Sequence, residues 1–111
     1  MKRRALHVAL VAATLLAASS AVAHLVDTRG GVTCAMWMQQ RPKNSQLLEA
    51  WLLGYMSGLA QEADIHLPKA VDNDEMFRWM DDYCKKNPKK IVTLGGFIMF
   101  NKLRADGSLK L

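Results

Sequence analysis

The chain is poor in the residues that catalytic, redox and metal chemistry require. Only two cysteines, Cys34 and Cys84, occur among its 111 residues. No C-x-x-C joins them, so a thioredoxin-type redox pair or a thiolate zinc site lacks its spacing. A C-x-x-C-H segment is also missing, which removes c-type haem attachment. The three histidines, His7, His24 and His66, stand too far apart to complete a metal set. Ser57 lies between Gly54 and Gly58 inside a helical pattern, without the strand-to-helix elbow that exposes a nucleophilic serine. Glu62, Asp64 and His66 could line a site, but no activated nucleophile accompanies them. The expectation is therefore no enzyme, no catalytic residue, no cofactor and no metal.

A strong charge of one sign is also missing once the first residues are set aside. "MKRR" is a basic n-region, "ALHVALVAATLLAA" an apolar stretch of about 14 residues, and "SSAVA" places Ala21 and Ala23 at the small positions of a signal-peptidase site. The apolar stretch is shorter than the ~20 residues that span a bilayer. The pattern predicts a signal peptide over 1–23, cleaved after Ala23, and hence a periplasmic protein. An uncleaved membrane anchor is the competing reading. Lys2, Arg3 and Arg4 leave with the leader, so 12 of the 15 basic residues remain against all 10 acidic ones, a net of +2. A nucleic-acid partner, which calls for a strongly basic face, is not expected. No second long apolar run follows, so stable membrane insertion is not expected either.

Removal of 23 residues from 111 leaves 88, few enough that burial alone gives marginal stability. In an oxidising compartment two thiols ordinarily pair. A Cys34–Cys84 bridge would close a loop of about 50 residues and contribute about 4 kcal/mol by the chain-entropy estimate.

Hydrophobic periodicity predicts an all-α domain, a small bundle of about four helices, over residues 33–111, after a flexible lead-in over 24–32. "VTCAMWMQQRP" reads as a short helix capped by Thr33 and stopped by Pro42, with Cys34, Trp37 and Met38 on one face. From about Gln46 to Asp64, Leu48, Trp51, Leu52, Tyr55, Met56, Leu59 and Ala63 form a stripe of period 3.6. Gly54 and Gly58 inside it predict a close neighbouring backbone. A third helix starts at an Asp72 cap with Glu75 three residues on, and presents Met76, Met80, Tyr83 and Cys84, flanked by Phe77 and Trp79. Asn87-Pro88 reads as the end of that helix and the start of a fourth, running to about Arg104. Asp81 with Lys85, and Asp82 with Lys86, stand at i, i+4 in the favoured acid-first order.

"IVTLGGFIMF" is the unusual segment. Ile91, Val92, Leu94, Phe97, Ile98, Met99 and Phe100 cover nearly the whole circumference of a helix. A helix apolar all round is either central or covered by a partner. A β-strand ending in a Gly-Gly turn competes, but the Asn-Pro start and the basic tail favour helix. A central helix is hard to arrange in so small a bundle. These residues are therefore candidates for a homodimer contact or a face for a protein partner, with simple burial as the other possibility.

Two stretches carry a resemblance. "WLLGYMSGLAQEAD", through Trp51, Gly54, Tyr55, Ser57 and Gly58, and "WMDDYCKKNPKK", through Tyr83, Cys84, Asn87 and Pro88, resemble the HdeA/HdeB-like small periplasmic helical proteins, which include acid-stress chaperones. An early cysteine such as Cys34, bridged to the one in the Tyr-Cys block, is also similar. The resemblance implies an all-α fold, a dimer near neutral pH and the holding of unfolded client proteins in acid. The "GYxSG" element is also similar to periplasmic immunity proteins, whose partner is a secreted toxin. There a Cys-x-Pro precedes the third helix, and here the place reads His66-Leu67-Pro68.

Acid would act strongly on such a chain. With 10 carboxylates neutralised and His24 and His66 protonated, net charge rises from +2 to about +14. Self-repulsion would then loosen any dimer and expose apolar surface. Asp81, Asp82, Lys85 and Lys86 are the expected pH-sensitive charge cluster, and the six methionines after the leader suit an adaptable binding surface.

Overall fold

A computed structural model describes residues 29–110. The predicted leader (1–23) and most of the predicted lead-in lie outside the described residues. Four helices follow one another: α1 (Cys34–Gln40), α2 (Gln46–Glu62), α3 (Asn73–Lys86) and α4 (Val92–Asp106). The fold is all-α with one disulfide, Cys34–Cys84, whose Cα atoms are 4.9 Å apart across a sequence separation of 50.

Local chemistry sets most of the boundaries. The Thr33 hydroxyl accepts from the Met36 amide at 3.1 Å and starts α1. Asp72 accepts from the Glu75 amide at 2.7 Å and starts α3. Gly107, at φ 66°, closes α4 in the left-handed region that glycine enters freely, its N–H donating to Leu103 O at 2.8 Å.

The start of α4 differs from the expectation. Asn87 caps the end of α3 instead of opening α4: its amide bonds Tyr83 O, and its side-chain Nδ2 also donates to Tyr83 O. The Val92 amide is taken by Val32 O at 2.8 Å, and the Cys34 amide donates to Lys90 O at 3.0 Å. An isolated antiparallel bridge between Thr33 and Ile91 results. This leaves Pro88–Lys90 as a turn, and the competing strand reading survives only at the bridge residue Ile91. Val32 is buried by the same contact, so the lead-in ends before it.

In space the helices lie in the order α2, α4, α3, α1. Helix α4 packs against both α2 and α3, and α1 packs on α3. So α4 takes the central position that is hard to arrange in a bundle this small. Its glycine pair makes that possible. A Cβ on Gly95 would sit 2.7 Å from the Tyr83 ring and 2.9 Å from the Met80 sulfur, and one on Gly96 would sit 2.8 Å from the Tyr55 ring. Each tyrosine is backed by a tryptophan one turn away: Trp51–Tyr55 and Trp79–Tyr83 stack with centroids 5.5 Å apart. Two aromatic slabs thus close on the two glycines from opposite sides. Burial against them raises the ionisation of both Tyr55 and Tyr83 above the ordinary tyrosine range.

The other glycines behave differently. Gly54 and Gly58 are exposed and would meet nothing within 4 Å, so the close backbone approach expected there occurs at Gly95 and Gly96 instead. The contrast predicts opposite signs. Gly54→Ala should stabilise by up to about 1 kcal/mol through helix propensity. Gly95→Ala should destabilise by a net of about 1–2 kcal/mol, because overpacking outweighs that gain. Urea denaturation of both variants checks the pair.

The core is continuous. Trp37, Leu52, Met56, Met80, Val92 and Met99 are fully buried, with Leu48, Met76, Phe77, Phe100 and Leu103 beside them. Met38, expected on the inner face of α1, is exposed instead.

Candidate functional site

The most built polar arrangement lies where α1 ends, α2 begins and α3 passes. Arg41, just after α1, directs Nε to Asp81 Oδ1 at 2.7 Å and Nη2 to Asp81 Oδ2 at 3.0 Å, a two-pronged pair with α3. Its Nη1 bonds Glu49 of α2. Ser45, before α2, donates its hydroxyl to the same Glu49 oxygen at 2.6 Å. The Trp37 indole N–H donates to Asp81 Oδ1 at 2.7 Å. The guanidinium also lies over the Trp37 and Phe77 rings, at 5.4 and 5.6 Å. One cation therefore ties three helices. The tie matters most for α2, which otherwise rests chiefly on α4.

Hydrogen bonding to Asp81 raises the Arg41 guanidinium above the ordinary arginine range; part burial pulls the other way, and the charges of Asp81 and Glu49 add to the rise. A raised cation keeps its contribution at every pH below the unfolded value and loses it only in strong alkali. The clasp can therefore be undone within a biological range only from its carboxylate side.

This corrects the expected charge cluster. Asp81 pairs with Arg41 instead of Lys85, because the disulfide register puts α1 alongside it. Among the described residues the ion pairs within 4 Å are Arg41–Glu49, Arg41–Asp81 and Lys102–Asp106, so Asp82–Lys86 does not form. Asp81→Asn should cost about 1–2 kcal/mol near neutrality, discounted because the pair is partly solvated. Denaturant midpoints of wild type and variant at neutral pH measure it.

The candidate partner face on α4 divides. Val92, Met99 and Phe100 are buried in the core of this one chain, with Gly95, Gly96 and Leu103. Ile91, Phe97 and Ile98 are 36, 48 and 42% exposed, and Leu94 is half-buried. The outer face of α4 thus keeps an apolar patch, while the inner face is spent internally. On α2, a shallow groove of about 490 Å³ is lined by Arg29, Ala50, Trp51, Gly54 and Tyr55. Glu62, Asp64 and His66 are all exposed, and Asp64 takes a left-handed φ of 52° just after α2. Among the described residues no group of three or more His, Cys, Asp or Glu side chains gathers as a metal site.

The fold and clasp define a small disulfide-stapled helical protein with an arginine-centred polar tie. No family profile, curated protein or solved structure matches the chain.

Proposed function

We propose that this chain is a small exported, non-enzymatic binding protein of the HdeA/HdeB-like kind, holding unfolded client proteins through apolar surface uncovered in acid. The observation that carries this reading is the Arg41 clasp, in which a single permanent cation holds one carboxylate of α2 and one of α3. Loss of the opposing negative charge would leave that cation uncompensated and partly buried, which is costly. Rising overall charge adds repulsion. Helix α2 would loosen first, uncovering Leu48, Leu52 and Met56, while the disulfide keeps α1 on α3 and the opened chain compact. A homodimer at neutral pH and a periplasmic location accompany the reading.

The test is size and client protection at pH 7 and pH 2.5. The expected result is a compact species at neutral pH, an expanded one in acid, and suppressed aggregation of an acid-denatured client only in acid. Intact size and no suppression at pH 2.5 would remove the reading.

A second reading is an immunity protein that neutralises a secreted toxin. The α2 groove and the bare Gly54–Gly58 surface favour it, since they present a receiving face that needs no opening. It predicts a tight one-to-one complex at neutral pH.

A further inference from the structure

One end of the molecule lies outside the clasp, and its charged side chains lie outside the core. There α3 finishes, α4 begins, and the Thr33–Ile91 bridge and the disulfide bring in the start of α1. Lys85, Lys86, Lys89 and Lys90 crowd this end within six residues, and all four are exposed. Among the described residues none of them has a carboxylate within 4 Å. On α3, Asp81 is committed to Arg41, and the exposed Asp82, one turn before Lys85 and Lys86, forms no ion pair with either. Directly after Lys90 the outer face of α4 runs Ile91, Leu94 and Ile98 in one row at i, i+3, i+7, with Phe97 beside it. Ile98 lies about 10 Å along the helix from Ile91, so the apolar row begins directly beside the charges.

We propose that this lysine-rich end and the outer face of α4 form a peripheral docking surface for an anionic lipid bilayer. The occupant must be negative and must accept apolar side chains. A second copy meeting the same face across a two-fold axis would bring two sets of four lysines into one interface with no carboxylate paired to them. An acidic protein fits less well, because protein interfaces favour arginine, tyrosine and tryptophan and are depleted in lysine. Every cation in this cluster is lysine. The paired Trp51, Tyr55, Trp79 and Tyr83 are stacked beside the α4 glycines. A lipid surface uses what is present: lysines attracted by the headgroup charge, each strengthening binding about fivefold, and isoleucine, leucine and phenylalanine entering the headgroup boundary. No helix among the described residues is long and apolar enough to cross a membrane, so the contact lies on the surface.

The test is sedimentation of the protein, processed as its cell makes it and with its disulfide closed, with vesicles. Vesicles of equal parts phosphatidylglycerol and phosphatidylcholine should carry it down; phosphatidylcholine alone should not. Raising salt from about 0.05 to 0.5 M should weaken binding more than tenfold. Lys89→Glu with Lys90→Glu should weaken it at least about 25-fold. Phe97→Ser with Ile98→Ser, at exposed positions and with helix content checked by circular dichroism, should weaken it about tenfold. Arg78→Glu, an exposed charge change in the middle of α3, should have little effect. Absence of binding to the anionic vesicles overturns the proposal and leaves the patch to a protein partner. An effect of Arg78→Glu matching the lysine variant, or no effect of the Phe97 and Ile98 changes, also overturns it.

Discussion

With Cys34 and Cys84 both replaced by alanine, the chain is expected to lose about 4 kcal/mol of stability, most of what a domain of this size has to spare. The bridge closes a separation of 50 residues and fastens α1, only seven residues long, to the last turn of α3. A helix that short does not hold in isolation. Without the disulfide, α1 depends on Trp37, the Arg41 clasp and the two backbone hydrogen bonds that flank Thr33 and Ile91. Urea denaturation of the double variant, beside wild type with and without reductant, reads the effect. Reduction should reproduce the alanine variant. Midpoints within experimental error of the oxidised protein would show that the short helix is held by packing alone.

Trp37→Ala is expected to cost about 3–5 kcal/mol. The side chain is fully buried between α1 and α3, and its indole N–H is also a ligand of Asp81. Removing it opens a cavity and takes one donor from the carboxylate that holds Arg41. Trp37→Phe separates the two contributions: it fills most of the volume and loses only the hydrogen bond, so it should cost about 1–2 kcal/mol. A phenylalanine variant as damaged as alanine would place the indole N–H, rather than the packing, at the centre of this contact.

Much of this architecture is readable from local chemistry. Thr33 and Asp72 are caps with their acceptor oxygens in place, and the stripe Leu48, Leu52, Met56 follows from a period of 3.6. The errors arise where tertiary contacts override local preference. Asn87-Pro88 is a good helix start in isolation, but the Val92 amide is claimed by Val32, 60 positions earlier. Gly54 and Gly58 resemble a packing notch as much as Gly95 and Gly96 do; only the position of the two tyrosines distinguishes them. The same holds for α4, whose all-round apolar character does not say which residues are packed on α2 and α3 and which stay exposed. Arg41 was hidden because its carboxylates are 8 and 40 positions away. The disulfide offered a route to it. With Cys34 against Cys84 and the helices antiparallel, one turn forward reaches Trp37 and one turn back reaches Asp81. A further turn on each helix places Arg41 near Phe77.

Amide hydrogen exchange, resolved by segment and corrected for intrinsic rate, compares the folded state at pH 7 with the state at pH 2.5. Protection should fall first and furthest across Gln46–Glu62, while Cys34–Gln40 and the last turns of α3, joined by the bridge, keep more of theirs. The Asp81→Asn variant should show part of this pattern already at pH 7. Protection lost evenly along the chain, or α2 remaining as protected in acid as α3, would contradict an acid opening that begins at Arg41.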